Sequence, residues 1–375
     1  MELELEHDQQ LFWETSRKFI ESTAPLTTVR ELYDNPDGFD RAWWRQAGEL
    51  GWTSMLVPEE HGGGTVSGNG LLDLVLVAEE MGRTVSPGPF LPTNVVAASV
   101  AASGSPAQQD ALLAGIVAGE ITAAWCMDEP GSEWGPAGVQ MQARPDDDGF
   151  VLAGTKSPVE AAAQAAHLLV TARTGEGLTQ FLVDPAAPGV TVTPLQSLDF
   201  VRRFATVRFD DVKVPASAVV GQVGGAATDV ERQIQVAVAL QCAEAVGAAD
   251  RVFEFTTQYA FDRYSFGRPL ASYQALKHRF ADMKLWLEAC HATASSAARA
   301  VQARSEDAAE LASVAKSYVG DHAVEIIQDC VQMHGGIGVT WDHDIHLYLR
   351  RATVNRELYG TPADHRERLA ALLGM

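Results

Sequence analysis

The run RYSFGRPLASYQ, Arg263 to Gln274, sets a permanent cation and an amide on opposite lips of a break between two helical patterns. Arg263 offers five donors in a rigid fork and Gln274 offers both donor and acceptor, a pair suited to gripping a diphosphate and its attached groups. The same residues also fit a helix hairpin whose arginine caps a carbonyl, and the stretch taken alone favours that plainer use. Residues able to move a proton are scarce. Glu231 falls in Thr228-Asp229-Val230-Glu231, and this capping-box spacing makes it a helix cap rather than a base. His343 and His346 with Asp342 or Asp344 lack a closed ligand spacing, so no metal is expected. GxSxG elbows, Walker loops and HExxH are absent from the sequence.

These residues need long elements to position them. Apolar residues at helical spacing lie upstream of the break (Val246, Ala249, Val252, Phe253) and downstream (Leu276, Phe280, Met283, Leu287), with Gly267 and Pro269 ending the first helix. Helices are expected over 6–22, 39–50, 71–82, 94–102 and 107–118, with Trp43 and Trp44 as one core and one surface residue. The segment GWTSMLVPEEHGGG interrupts them as a loop. Near Ile121 the period changes to two, and short alternating runs such as AHLLVTART and ATVRFDDVKVP, punctuated by Asp-Gly and Pro-Gly, form a β domain ending near Val220. A helix of about thirty residues then starts at the capping box. Helices over 273–303 and 307–334, the turn HGGIG, a helix through Arg356 and a short amphipathic tail complete the chain. The expected domains are 1–120, 121–222 and 223–375.

Composition excludes some partners. A chain of 375 residues, 46% hydrophobic, can bury a large core, and a net charge of -21 argues against nucleic acid and anionic membrane. Cys126, Cys242, Cys290 and Cys330 have no CxxC spacing and fit reduced core thiols of a cytoplasmic protein. The acidic start, MELELEHDQQLF, lacks a cationic and apolar leader, and no run is long and apolar enough to span a membrane.

Three segments in this order, PEEHGG (58–63), RYSFGRPLASYQALKHRFADM (263–283) and QMHGGIGVTWDHDIHLYLRR (332–351), resemble the acyl-CoA dehydrogenase family over essentially the whole chain. The resemblance implies an α+β multidomain fold: an N-terminal helical domain, a middle β domain and a C-terminal four-helix bundle. It also implies FAD shared across a subunit interface, one subunit's β domain holding the ring and its neighbour's bundle holding the ADP half. By that likeness Arg263, Phe266, Gln274, Gln332, Gly335 and Gly336 reach the diphosphate and adenosine. A glycine pair lets backbone N–H groups approach an anion, although it also suits a helix cap.

The remainder departs from the family pattern. Where Thr-Glu-Pro, small residues and Ser-Asp are usual, the chain has Asp128-Glu129-Pro130-Gly131-Ser132-Glu133-Trp134-Gly135, and the usual Trp-Ile/Ser-Thr edge is Pro158-Val159-Glu160. Asp128 and Glu133 should repel an anionic cofactor and Trp134 should fill its volume. The family's catalytic Glu position is Tyr359, and the alternative helical base position is Ala237, followed by Val238. Glu244, two turns on and roughly 10 Å along the axis, is a candidate displaced base, or else a solvated or interface carboxylate.

The resulting expectation is a subunit of a hetero-oligomeric acyl-CoA dehydrogenase, similar to bacterial members that act on steroid-derived thioesters. There a sister subunit carries the base, the β-hydride passes to flavin, and an electron-transfer flavoprotein or similar acceptor reoxidises it. Two other readings stay open: a homo-oligomer with remodelled, flavin-free acid/base chemistry or oxidation through Glu244, and a structural paralogue.

Overall fold

A computed structural model describes residues 5–375, so the start Met1–Glu4 of the acidic N-terminus lies outside the described residues. The chain divides into two compact units, Met1–Arg30 with Leu74–Ser86 and Val238–Met375, and Glu31–Asp73 with Pro87–Ala237. The leading helices are α1 (His7–Thr23), α2 (Leu26–Glu31), α3 (Arg41–Glu49), α4 (Gly70–Thr84), α5 (Phe90–Ser103) and α6 (Pro106–Val117). Asp40 caps α3 by accepting from the Trp43 N–H at 2.7 Å. Trp43 and Trp44 are both buried, not split between core and surface. Trp43 meets Trp52 edge-on at 5.8 Å, and a Cβ on Gly88 would sit 2.9 Å from the Trp44 ring, so packing covers both faces of this short helix.

The alternating runs form β1 (Ala123–Cys126), β2 (Gln142–Asp146), β3 (Gly149–Glu160), β4 (His167–Thr174), β5 (Gly177–Val183), β6 (Val190–Leu195), β7 (Phe204–Pro215) and β8 (Val219–Val220). They make one sheet in the order β6-β7-β3-β2-β4-β5-β8, with β1 also paired to β4. Leu152, Val170, Phe181, Val207 and Phe209 fill its core. The β3–β7 register shifts between Lys156/Val207 and Val159/Ala205, a bulge that sets Ser157 and Pro158 opposite Thr206. Bulges of this kind bend a strand and re-aim its side chains.

The C-terminal elements are α7 (Ala227–Asp262), the hairpin strands β9 (Tyr264–Ser265) and β10 (Arg268–Pro269), α8 (Gln274–Ala303), α9 (Ala308–His334), α10 (Ile345–Glu357) and α11 (Pro362–Leu372). Because α7 begins at Ala227, Thr228 lies inside it, and Glu231 accepts from the Gln235 side chain at 2.9 Å, so the expected capping box is not formed. The helix also ends at Asp262, ahead of Gly267 and Pro269, which belong to the hairpin. Where α4 meets α7, a Cβ on Gly82 would lie 1.9 Å from the Glu244 carbonyl oxygen and one on Gly247 1.9 Å from that of Glu79. Only glycine permits so close a backbone approach. All four cysteines are buried free thiols, and burial pushes Cys126, Cys242 and Cys330 up to about 12. Among the described residues no helix is long and apolar enough to cross a membrane.

Candidate functional site

The hairpin after α7 is built to present, not to pack. Phe266 and Gly267, at φ 49° and 80°, form a turn of the type I′ kind that matches the twist of paired strands. A non-glycine residue in left-handed backbone costs about 1–2 kcal/mol, yet the Phe266 side chain is 99% exposed. The hairpin is closed by the Leu270 N–H donating to the Arg263 carbonyl at 2.8 Å and by the Tyr273 hydroxyl donating to the Ser265 carbonyl at 2.7 Å. Arg268 lies over the Tyr273 ring at 3.8 Å.

At the same end of these helices lies the turn after α9. The Tyr259 and His334 rings are 4.3 Å apart, and Arg279 of α8 pairs with Asp329 of α9 at 2.5 Å. Arg263, Gln274, Gln332, Gly335 and Gly336 are all exposed. Among the described residues the Arg263, Gln274 and Gln332 side chains make no hydrogen bond or ion pair, so Arg263 is not the carbonyl cap that the simpler reading required. Gly335 has φ 63° and ψ -139°, a conformation open essentially to glycine alone. A Cβ on Gly336 would meet nothing within 4 Å. A permanent cation, two amides and bare backbone facing outward fit the diphosphate end of a dinucleotide.

The position that the resemblance assigns to the base lies packed in the core. Tyr359 is buried at φ 59°, and its carbonyl accepts from His365 Nε2 at 3.0 Å. Glu244 is not a solvated carboxylate: Arg351 Nη1 donates to it at 2.5 Å and Asn355 Nδ2 at 2.8 Å. Arg351 Nη2 also donates to the Ser86 carbonyl at 3.2 Å. Beside this network the buried Lys316 ammonium donates to Gln241 Oε1, to the Asn355 carbonyl at 2.5 Å and to the Leu358 carbonyl at 2.8 Å. It thereby caps the C-terminus of α10, where carbonyls lack partners and the helix dipole favours a cation. Sequence reasoning missed Lys316, although a lone lysine on the apolar stripe Ala312, Ala315, Val319, Ala323 was a visible signal.

Burial pushes the imidazoles of His365 down to about 3 and His334 down to about 4, the latter helped by His343. Unfolded histidine titrates near ~6.5, so between that value and the folded ones the unfolded chain holds more protons and stability falls on acidification. The full contribution is present above pH ~6.5, and each group loses up to ~1.4 kcal/mol per pH unit below it. Asp128 acts oppositely between pH 6 and 3.8, because its folded value is the higher one. Denaturant titrations should show His365→Gln losing less stability from pH 6 to 4 than the parent; equal slopes would contradict this.

In the β unit, Glu129 is drawn inward: it accepts from Lys156 Nζ at 2.7 Å and from the Met141 N–H at 3.0 Å. Burial pushes the neighbouring Asp128 up to about 6, against the pull of Lys156. Glu160 is not a free negative group, since Arg202 grips both its oxygens at 2.8 and 2.6 Å. Glu133 is exposed and Trp134 half-buried. Of the acidic residues in this region Glu160 is thus neutralised by Arg202 and Glu129 by Lys156.

Three family models match the chain: acyl-CoA dehydrogenase N-terminal domain over 6–120, middle domain over 124–212 and C-terminal domain over 227–374. The chain belongs to the acyl-CoA dehydrogenase family. Family members carry out flavin-dependent oxidation of acyl-CoA, and the architecture is the family's, with an N-terminal helical, a middle β and a C-terminal helical domain. The chain is 30% identical to acyl-CoA dehydrogenase IpdE2 of Mycobacterium tuberculosis over 363 residues, 96% of each protein. Butyryl-CoA dehydrogenase from Megasphaera elsdenii superposes with a TM-score of 0.91 at 25% identity, covering 100% of both chains. A variant of the Tcur3481-Tcur3483 steroid ACAD superposes at 0.88 with 29% identity, covering 98% of this chain and 97% of that one.

Proposed function

We propose that this chain is a subunit of a two-component acyl-CoA dehydrogenase that desaturates an acyl-CoA thioester between the α and β carbons, and that it completes the FAD site of a second, base-bearing subunit. The observation that carries the reading is a contrast within the C-terminal elements. The base position is closed over by Tyr359 with Glu244 committed to Arg351, whereas Arg263, Gln274 and Gln332 stand exposed without partners around the Gly335-Gly336 backbone. The double designation of the Tcur3481-Tcur3483 steroid ACAD supports a two-component assembly and a steroid-derived thioester.

In this role Arg263 would neutralise the cofactor's diphosphate with charge-assisted hydrogen bonds, and Gln274, Gln332 and the glycine backbone would orient the adenosine side. Phe266 would cover that half from the hairpin tip. Flavin, when bound, supplies the hydride acceptor, and an electron-transfer flavoprotein or similar partner would reoxidise it. Asp128, Glu133 and the Glu160–Arg202 pair would keep a second flavin ring out of this chain's own β domain.

Expression with and without the partner tests the assignment. The chain alone should purify colourless, and the complex should carry half a flavin per subunit; one FAD per chain in a pure homo-oligomer would overturn the reading. Tyr359→Phe in the complex should leave turnover nearly unchanged. Loss of turnover in that variant would place the catalytic residue in this chain.

A further inference from the structure

One imidazole in the turn after α9 can hold its place only while it is neutral. The N–H of Ile345, the first residue of α10, donates to His343 Nδ1 at 3.1 Å. A backbone N–H can only donate, so Nδ1 carries a lone pair and the ring proton sits on Nε2. His343 is therefore a neutral acceptor capping α10, a task more often given to Ser, Asp or Asn. Asp344 occupies the N-cap position itself but makes no cap bond, because its carboxylate accepts from Arg30 Nε at 2.9 Å.

A second proton on His343 would set Nδ1–H against the Ile345 N–H, donor against donor, and would place a cation at the positive end of the α10 dipole. The elements packed around the ring do little to offset this. The His334 ring of α9 is 4.5 Å away and would face it as a second cation if charged. Phe255 of α7, at 6.1 Å, is neutral, and Arg30 of α2 repels. Asp344 favours the charge, but its carboxylate already serves Arg30. Burial and Arg30 hold the imidazole below its ordinary value against the pull of Asp344, and His346, three residues on, is held low by burial, Arg30 and Arg350. The two stacked rings close the base of one turn, which leaves α9 at His334 and enters α10 after His343. Gly335 and Gly336 lie on that turn. We propose that His343 is a pH-sensitive clasp: neutral, it caps α10 and holds the Gly335–Gly336 turn shut, and protonated it lets that turn open. Resting on the two-component reading, retention of the partner subunit's flavin should then fall on acidification, because the diphosphate loses the N–H groups of a fixed turn. Once the turn is open the imidazole titrates near ~6.5, so the clasp is fully present above that pH, and below it the opening constant rises by up to ~10-fold per pH unit.

Hydrogen exchange on the full chain alone, at pH 7.5 and 5.5, reads the turn directly. After correction for intrinsic rates, peptides covering 335–346 should lose protection by about 10-fold on acidification, while peptides from the middle of α8 and from β4 keep theirs. His343→Asn supplies an acceptor for the Ile345 N–H without titrating, and should leave the turn protected at both pH values. Imidazole resonances of the parent protein should show a neutral His343 with its proton on Nε2 at pH 7.5, a readout that needs no variant. Protection of the turn that does not change with pH, the same loss in His343→Asn, or Nδ1 found protonated at pH 7.5 overturns the clasp. Flavin retention by the complex over the same range is a separate arm. A turn that opens while flavin stays bound upholds the clasp and counts against the use of Gly335 and Gly336 by the cofactor.

Discussion

Replacing Arg351 by methionine should destabilise the chain by about 3–5 kcal/mol, because it leaves the Glu244 carboxylate inside the protein without its cation. Arg351 is fully buried and Glu244 nearly so, and the Asn355 amide bonded to the acid carries no charge to replace the guanidinium. Glu244→Gln should fall in the same range, since the guanidinium would then be the uncompensated charge. Urea unfolding checks this: the midpoint should drop at constant slope. A change below ~1 kcal/mol would mean that the pair is dispensable, and would return Glu244 to the list of acids free for proton transfer. Replacing both partners together by apolar residues of similar volume should cost far less than either single change, which separates the penalty of an orphaned charge from the worth of the pair.

The second large effect concerns Arg263. Arg263→Ala should weaken FAD retention by the assembled complex by about 1.5–3 kcal/mol, or ~10- to ~150-fold, while leaving the chain folded. The fold should tolerate the change because the exposed guanidinium bonds nothing among the described residues and the hairpin is closed by the Arg263 carbonyl, which alanine also supplies. Flavin fluorescence after dilution, with circular dichroism of the isolated chain, measures both parts. Full retention of flavin would remove the diphosphate role, and unfolding would restore a structural one.

Much of this was legible in sequence because it depends on neighbours along the chain. The alternating runs placed the strands of the sheet, and the Arg263 to Gln274 break, though the helix stops earlier than Gly267, lies where the hairpin forms. What stayed hidden depends on partners far away in sequence. Glu244 could be placed on a helix face but not beside Arg351 and Asn355, and Glu160 could be seen as an odd residue at a strand edge but not as half of a pair with Arg202. One of Trp43 and Trp44 was expected at the surface because periodicity describes one helix at a time and says nothing of what packs on its other side. The capping box before α7 failed for a local reason: the helix had already begun.

Gly336 carries a different kind of information. Its backbone needs no left-handed angle, and a methyl group there would touch nothing in this chain. If the space is kept clear for a neighbouring molecule, the pressure that keeps the residue small acts on the assembly and is silent in the monomer. A substitution at this position would then behave as a recessive defect of fit, invisible to any measure of how well the subunit itself folds and expressed only when two gene products meet. On that reading the residue answers to the partnership and not to the subunit, and would be free to change wherever the partnership is dissolved.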